Sequence, residues 1–123
     1  MPTDFSNVPL FDREQIELLR EAMGPEDLGP MLAELPRHAV QSLDAIQAAL
    51  TADDLDQTRR AAHVLRGFAG SFGAARLAAI ARAIELECPS VAVLRQCMPA
   101  LVETIEATAA AIDELAATAG MAS

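Results

Sequence analysis

Between Leu28 and Leu50 the apolar residues return every three or four positions: Leu28, Leu32, Leu35, Ala39, Leu43, Ile46 and Leu50. This spacing puts all seven on one stripe of a helix, whereas a half-buried strand needs alternation by two. The same period recurs along the rest of the chain. It predicts a first short helix from about Asp12 to Met23, with Ile16, Leu19 and Met23 inward, and a long second helix carrying the Leu stripe. A third helix is expected from about Asp54 to Phe72, and a fourth from Ala74 or Ala75 to Glu87, with Leu77, Ile80, Ala81 and Ile84 on one face. The last spans about Ser90 to Ala117, with Leu94, Met98, Leu101, Ile105, Ile112 and Leu115 inward. No segment shows period-two alternation. Long amphipathic helices joined by short links pack as antiparallel neighbours. The expected fold is therefore all-α, an antiparallel four-helix bundle with a short additional N-terminal helix. It is read as a single domain over residues 1–123, with 1–10 a flexible lead-in.

The helix boundaries have local signals. Asp12 is a candidate N-cap, and Gly24-Pro25 stops the first helix. Pro30 is placed in the first turn of the second helix, where its missing N–H is tolerated. Pro36, further in, is expected to kink that helix. Gly73 suits a helix-ending left-handed position. Cys88-Pro89-Ser90 reads as a turn, and Pro99 should bend the last helix or mark its effective start.

Composition narrows the functions. Net charge is −9 at pH 7, against the clustered positive charge that nucleic-acid binding requires. No apolar run reaches the roughly 18–20 residues needed to cross a bilayer, so no membrane span is expected. The first residues, MPTDFSNVPLF, lack the charged and apolar regions of a signal peptide, and the chain is read as cytoplasmic. Cys88 and Cys97 have no metal-ligand spacing and read as reduced, partly buried thiols. No metal site is expected. The chain has no Lys, and five of its arginines, Arg59, Arg60, Arg66, Arg76 and Arg82, fall between residues 59 and 82. A local basic patch on an acidic protein suits a small anion or an acidic partner.

The third helix carries the chemistry. At 100° per residue, Thr58, Ala62, Leu65, Ala69 and Phe72 share a narrow arc, the core face. Arg59, His63, Arg66, Gly67 and Gly70 gather on another arc, roughly a third of a turn away. Each interior glycine costs about 1 kcal/mol relative to alanine. Two of them beside one histidine strip that surface of side chains and let another protein approach the imidazole. Close packing against a neighbouring helix, and at Gly70 a frayed helix end, would also account for glycine here. Arg66 at i+3 and Arg59 at i−4 are in range to fold over the ring. There they would disfavour imidazolium and stabilise an attached phosphoryl group. Ordinary solvated arginines are the alternative. No carboxylate sits at helical spacing from His63 to orient its ring, which weakens a general-base enzyme. A nucleotide-cradling glycine loop is also missing, so phosphate must come from another protein. His38 reads as a surface or boundary histidine.

The segment Ala62-His63-Val64-Leu65-Arg66-Gly67, followed by Gly73-Ala74, Leu77 and Ile84-Glu85, resembles the histidine-containing phosphotransfer (HPt) domain family of two-component phosphorelays. The resemblance covers essentially the whole chain. It implies a four-helix bundle whose exposed histidine exchanges a phosphoryl group with the aspartate of a response-regulator receiver domain. A hybrid sensor kinase is a further partner. On this resemblance His63 is the phospho-acceptor, Arg66 stands where lysine is usual and stabilises the phosphate, and Gly67 clears room for the partner. Arg59, Arg60, Val64 and Gly70 would lie at the partner surface. No cofactor is expected on this chain, Mg²⁺ being held by the receiver, and a monomer is implied. Phe68 departs from the small polar residue common in the family and is expected to pack on a flank. Kinase dimerisation helices usually place an acidic residue after their histidine, where this chain has Val64. The alternative to phosphotransfer is a bundle that binds a receiver or kinase and leaves His63 unused.

Overall fold

The computed structural model describes the backbone of residues 4–121 and the side chains of residues 4–115. Residues 1–3 of the lead-in lie outside the described part. Six helices follow one another: α1 (Arg13–Met23), α2 (Pro25–Ala33), α3 (Leu35–Thr51), α4 (Leu55–Ser71), α5 (Ala75–Leu86) and α6 (Val91–Met121). No strand occurs among the described residues. Helices α3, α4, α5 and α6 close a ring, each packed on the next and α6 back on α3. Helix α2 lies on α6, and α1 lies on α2. The expected four-helix bundle with an extra N-terminal helix is present.

One element differs from the sequence reading. The Leu stripe runs through two helices, α2 and α3, separated by Glu34 alone. Pro36 has no N–H to offer the carbonyl of Leu32, and its ring crowds that carbonyl. Glu34 stays right-handed helical at φ −74°, ψ −24°, and its N–H turns to Met31 O at 3.1 Å. The stripe survives the break, with Leu28, Leu32, Leu35, Ala39, Ile46 and Leu50 all buried. Pro30 is not in the first turn, because α2 starts at Pro25 directly after Gly24. Pro99 neither starts α6 nor interrupts it; the helix runs through it.

The remaining boundaries follow their local signals. Asp12 and Asp54 cap α1 and α4, accepting from Gln15 N at 3.2 Å and Gln57 N at 3.0 Å. Ser90 Oγ accepts from Val93 N at 3.3 Å at the head of α6. Helix α4 ends in a Schellman motif: Ala74 N donates to Ala69 O at 2.8 Å and Gly73 N to Gly70 O at 3.2 Å. Helix α3 ends the same way, with Asp53 at φ 52° in the left-handed position.

The core is aliphatic: Leu65, Leu77, Ile80, Ile84, Leu94 and Leu101 are fully buried where α4, α5 and α6 meet. Thr58, also fully buried, satisfies its hydroxyl on Asp54 O at 2.8 Å. Cys88 and Cys97 are buried thiols. Burial, with the Cys97 thiol adding to it, pushes Cys88 up to about 12. Residues 4–10 of the lead-in, read from the sequence as flexible, and Phe11 after them touch the bundle at several points. Arg76 Nε donates to Val8 O at 2.7 Å, and Phe5 and Phe11 pack against the core.

Gly73 sits at φ 73°, and a Cβ there would stand 3.3 Å from Ile16 Cδ1. Gly73→Ala is expected to destabilise the fold by about 1–2 kcal/mol from the left-handed conformation alone. Urea unfolding followed by circular dichroism measures this.

Candidate functional site

Helix α4 presents the site because its buried side is fully occupied. Thr58, Ala62, Leu65 and Ala69 face the core, and this fixes where every other side chain points. His63 comes out on the solvent side, with 64 % of its side chain exposed. Val64 beside it is 50 % exposed, and Arg60 and Gly67 are also exposed. A Cβ added at Gly67 or at Gly70 meets nothing within 4 Å. Close helix packing is therefore not why these positions are glycine. Around His63 they leave open solvent.

The ring is oriented from the neighbouring helix. His63 Nδ1 lies 2.7 Å from Glu85 Oε1 on α5, and Glu85 is only 14 % exposed. A carboxylate is an acceptor only, so Nδ1 carries the hydrogen and donates it. With Nδ1 as the donor, it is the neutral ring that carries its lone pair on Nε2, the nitrogen pointing away from Glu85. The other carboxylate oxygen, Glu85 Oε2, lies 3.3 Å from Arg66 Nε. The pair is ionic by distance, while its geometry leaves Oε2 without a formed hydrogen bond. Arg66 thus reaches the site beside Glu85, with one third of its side chain exposed.

The sequence placed Arg59 over the imidazole as well. The structure turns it the other way: Arg59 Nη2 donates to Cys88 O at 2.9 Å, past the end of α5. A carbonyl bared at a helix C-terminus is a good acceptor for a cation. The sequence also offered no carboxylate to orient His63. That holds along α4, but Glu85 supplies one from 22 positions away. Phe68 packs on the flank facing α3, stacked on His38 at 4.3 Å between ring centroids. One cleft lies between the N-terminal segment, α1 and α6, and another beside Arg76; neither is lined by His63.

A partly buried carboxylate, a nearby guanidinium and two bare glycines surround an exposed imidazole that a macromolecule can reach. The model of one protein family, described as Hpt domain, matches residues 13–118. The chain is an Hpt domain. No curated protein and no solved structure gives a significant match to it. Hpt domains serve histidine phosphotransfer in two-component systems, as phosphocarriers rather than kinases, and interact there with receiver domains and kinases. In this Hpt domain no described helix is long and apolar enough to cross a membrane. Among the described residues no three His, Cys, Asp or Glu side chains are grouped to hold a metal ion.

Gly67→Ala should stabilise this Hpt domain by about 0.5–1 kcal/mol, since the methyl group meets nothing and alanine is the better helix former. A rise in the urea midpoint with unchanged slope is the expected result.

Proposed function

We propose that His63 accepts a phosphoryl group from the aspartyl phosphate of a receiver domain and hands it on to another aspartate. Nε2 attacks the phosphorus, the N–P bond forms, and the bond from phosphorus to the aspartate oxygen breaks, leaving the receiver carboxylate. The ring gains positive character as this happens. Glu85, holding the Nδ1 proton at 2.7 Å, offsets that charge. Arg66 leaves the Glu85 side to pair with the phosphoryl oxygens, supplying a charge-assisted bond. Gly67 and Gly70 give the receiver its approach, with Val64 as an apolar contact and Arg60 as a rim charge toward an acidic partner. Mg²⁺ belongs to the receiver in this reading. The domain works as a monomer in the cytoplasm, without kinase activity of its own.

The observation that carries the proposal is the 2.7 Å contact on Nδ1 of a ring that is otherwise exposed. It supports the tautomer in which Nε2 is the nucleophile. A histidine used only as a binding contact has no need of a carboxylate behind it.

Mixing the protein with a phosphorylated receiver should place an acid-labile, alkali-stable phosphate on it. His63→Gln is expected to abolish that label with the helical dichroism unchanged. A full label on the variant overturns the proposal, and a wild-type protein that binds receivers yet never takes label supports simple sequestration instead. Glu85→Ala is expected to slow acceptance about tenfold, the usual scale for losing the group that orients a working histidine. Rapid-quench transfer kinetics read this directly.

A further inference from the structure

We propose that Arg59 is a positioning residue for His63, acting through the last turn of α5 and touching neither the imidazole nor the phosphoryl group. The inference rests on the phosphotransfer reading above. Glu85, the residue that orients His63, lies in the final turn of α5, which ends at Leu86. Final turns fray, because their last carbonyls lack intrahelical partners. Here the chain adds to the problem. Pro89 follows three residues after Leu86 and has no N–H to return to Glu85 O. The backbone bond from Glu87 N to Ala83 O, at 2.9 Å, closes the helix, and the chain then leaves through Cys88 and Pro89.

Arg59 ties down that exit. Its Nη2 donates to Cys88 O at 2.9 Å, from a half-buried side chain on the facing helix. Arg59 is one turn before His63 on α4, and Cys88 follows Glu85 by about one turn, just past the end of α5. The two helices run antiparallel, so Arg59–Cys88 and His63–Glu85 are successive rungs between them, about one helical pitch apart. The first rung sets the axial position of the turn that carries the second. A carboxylate displaced by an ångström no longer holds Nδ1–H, and the ring reverts to the solution balance of tautomers, in which Nε2 carries the hydrogen.

The test uses the whole protein with ¹⁵N-labelled histidine, whose ring nitrogen shifts report the tautomer of His63 without any phosphoryl donor. Arg59→Met keeps the apolar stem and removes the donor. It is expected to move His63 toward the Nε2–H form and to slow phosphoryl acceptance about fivefold. Arg59→Lys retains a donor of similar reach and should restore most of both. In a Glu85→Ala background, Arg59→Met should change the rate by less than about twofold, because the path it acts through is already gone. A wild-type tautomer in Arg59→Met, or the same slowing with and without Glu85, overturns the inference. Should Arg59→Met fail to fold, Arg59→Ala and Arg59→Lys give the same comparison. A wild-type protein that takes no phosphoryl group overturns the phosphotransfer reading alone, since the tautomer measurement still decides the role of Arg59.

Discussion

The register between α4 and α5 governs the site, and a three-residue link sets it. Phe72, Gly73 and Ala74 reverse the chain through paired Schellman bonds, with Gly73 at φ 73°. Counting outward from that turn, His63 lies ten residues back and Glu85 twelve residues on, which brings both to a similar height on antiparallel helices. The turn is itself gripped from outside. Asp12 N donates to Gly73 O at 2.8 Å, and Gln15 Nε2 donates to Gly70 O at 2.7 Å. Ile16 packs where a side chain on Gly73 would go. The short helix α1 therefore supports the site from its edge, by holding the hinge of the two helices that form it.

Around the ring, stability and access pull against each other. The buried side of α4 is close-packed and ordinary, with Ala62, Leu65 and Ala69 at no exposure. The open side gives up helix propensity at Gly67 and Gly70, and nothing inside the fold makes use of the space. Glu85 and Arg66 show the same tension. A carboxylate this covered, with one oxygen lacking a formed hydrogen bond, is a poor structural element. Under the phosphotransfer proposal it is a group whose partner moves during the reaction. These local costs coincide at one place on the surface, which is what a functional site looks like in a domain otherwise consistent at every level.

Much of this was legible along the chain. The period of Thr58, Ala62, Leu65 and Ala69 was enough to put His63 outside, and Asp12, Asp54 and Gly73 announced their caps through chemistry that acts within three or four residues. Proline effects were harder to place. Pro36 did disturb the Leu stripe, yet the break fell two residues earlier at Glu34, and Pro30 proved interior because Gly24-Pro25 starts a helix as well as ending one. Glu85 stood in the family-like pattern, one residue after the buried Ile84, at the edge of the apolar face of α5. That edge position was the available signal for an interhelical role, but no spacing rule along α4 pointed to it.

Local chemistry, then, belongs to the sequence: which residues are helical, which face is apolar, which histidine is exposed, and that glycines and arginines surround it. Periodicity and capping operate over one or two turns, so the order of residues alone determines them. What the tertiary structure decided is which groups meet across helices. It gave His63 the Glu85 carboxylate from 22 residues away, shared that carboxylate with Arg66, and sent Arg59 to Cys88 O. Those pairings depend on how far one helix slides along another. That distance is settled by the packing of Leu65, Ile80 and Ile84 and by the turn at Gly73 acting together, a sum over the whole core that no short stretch of sequence contains.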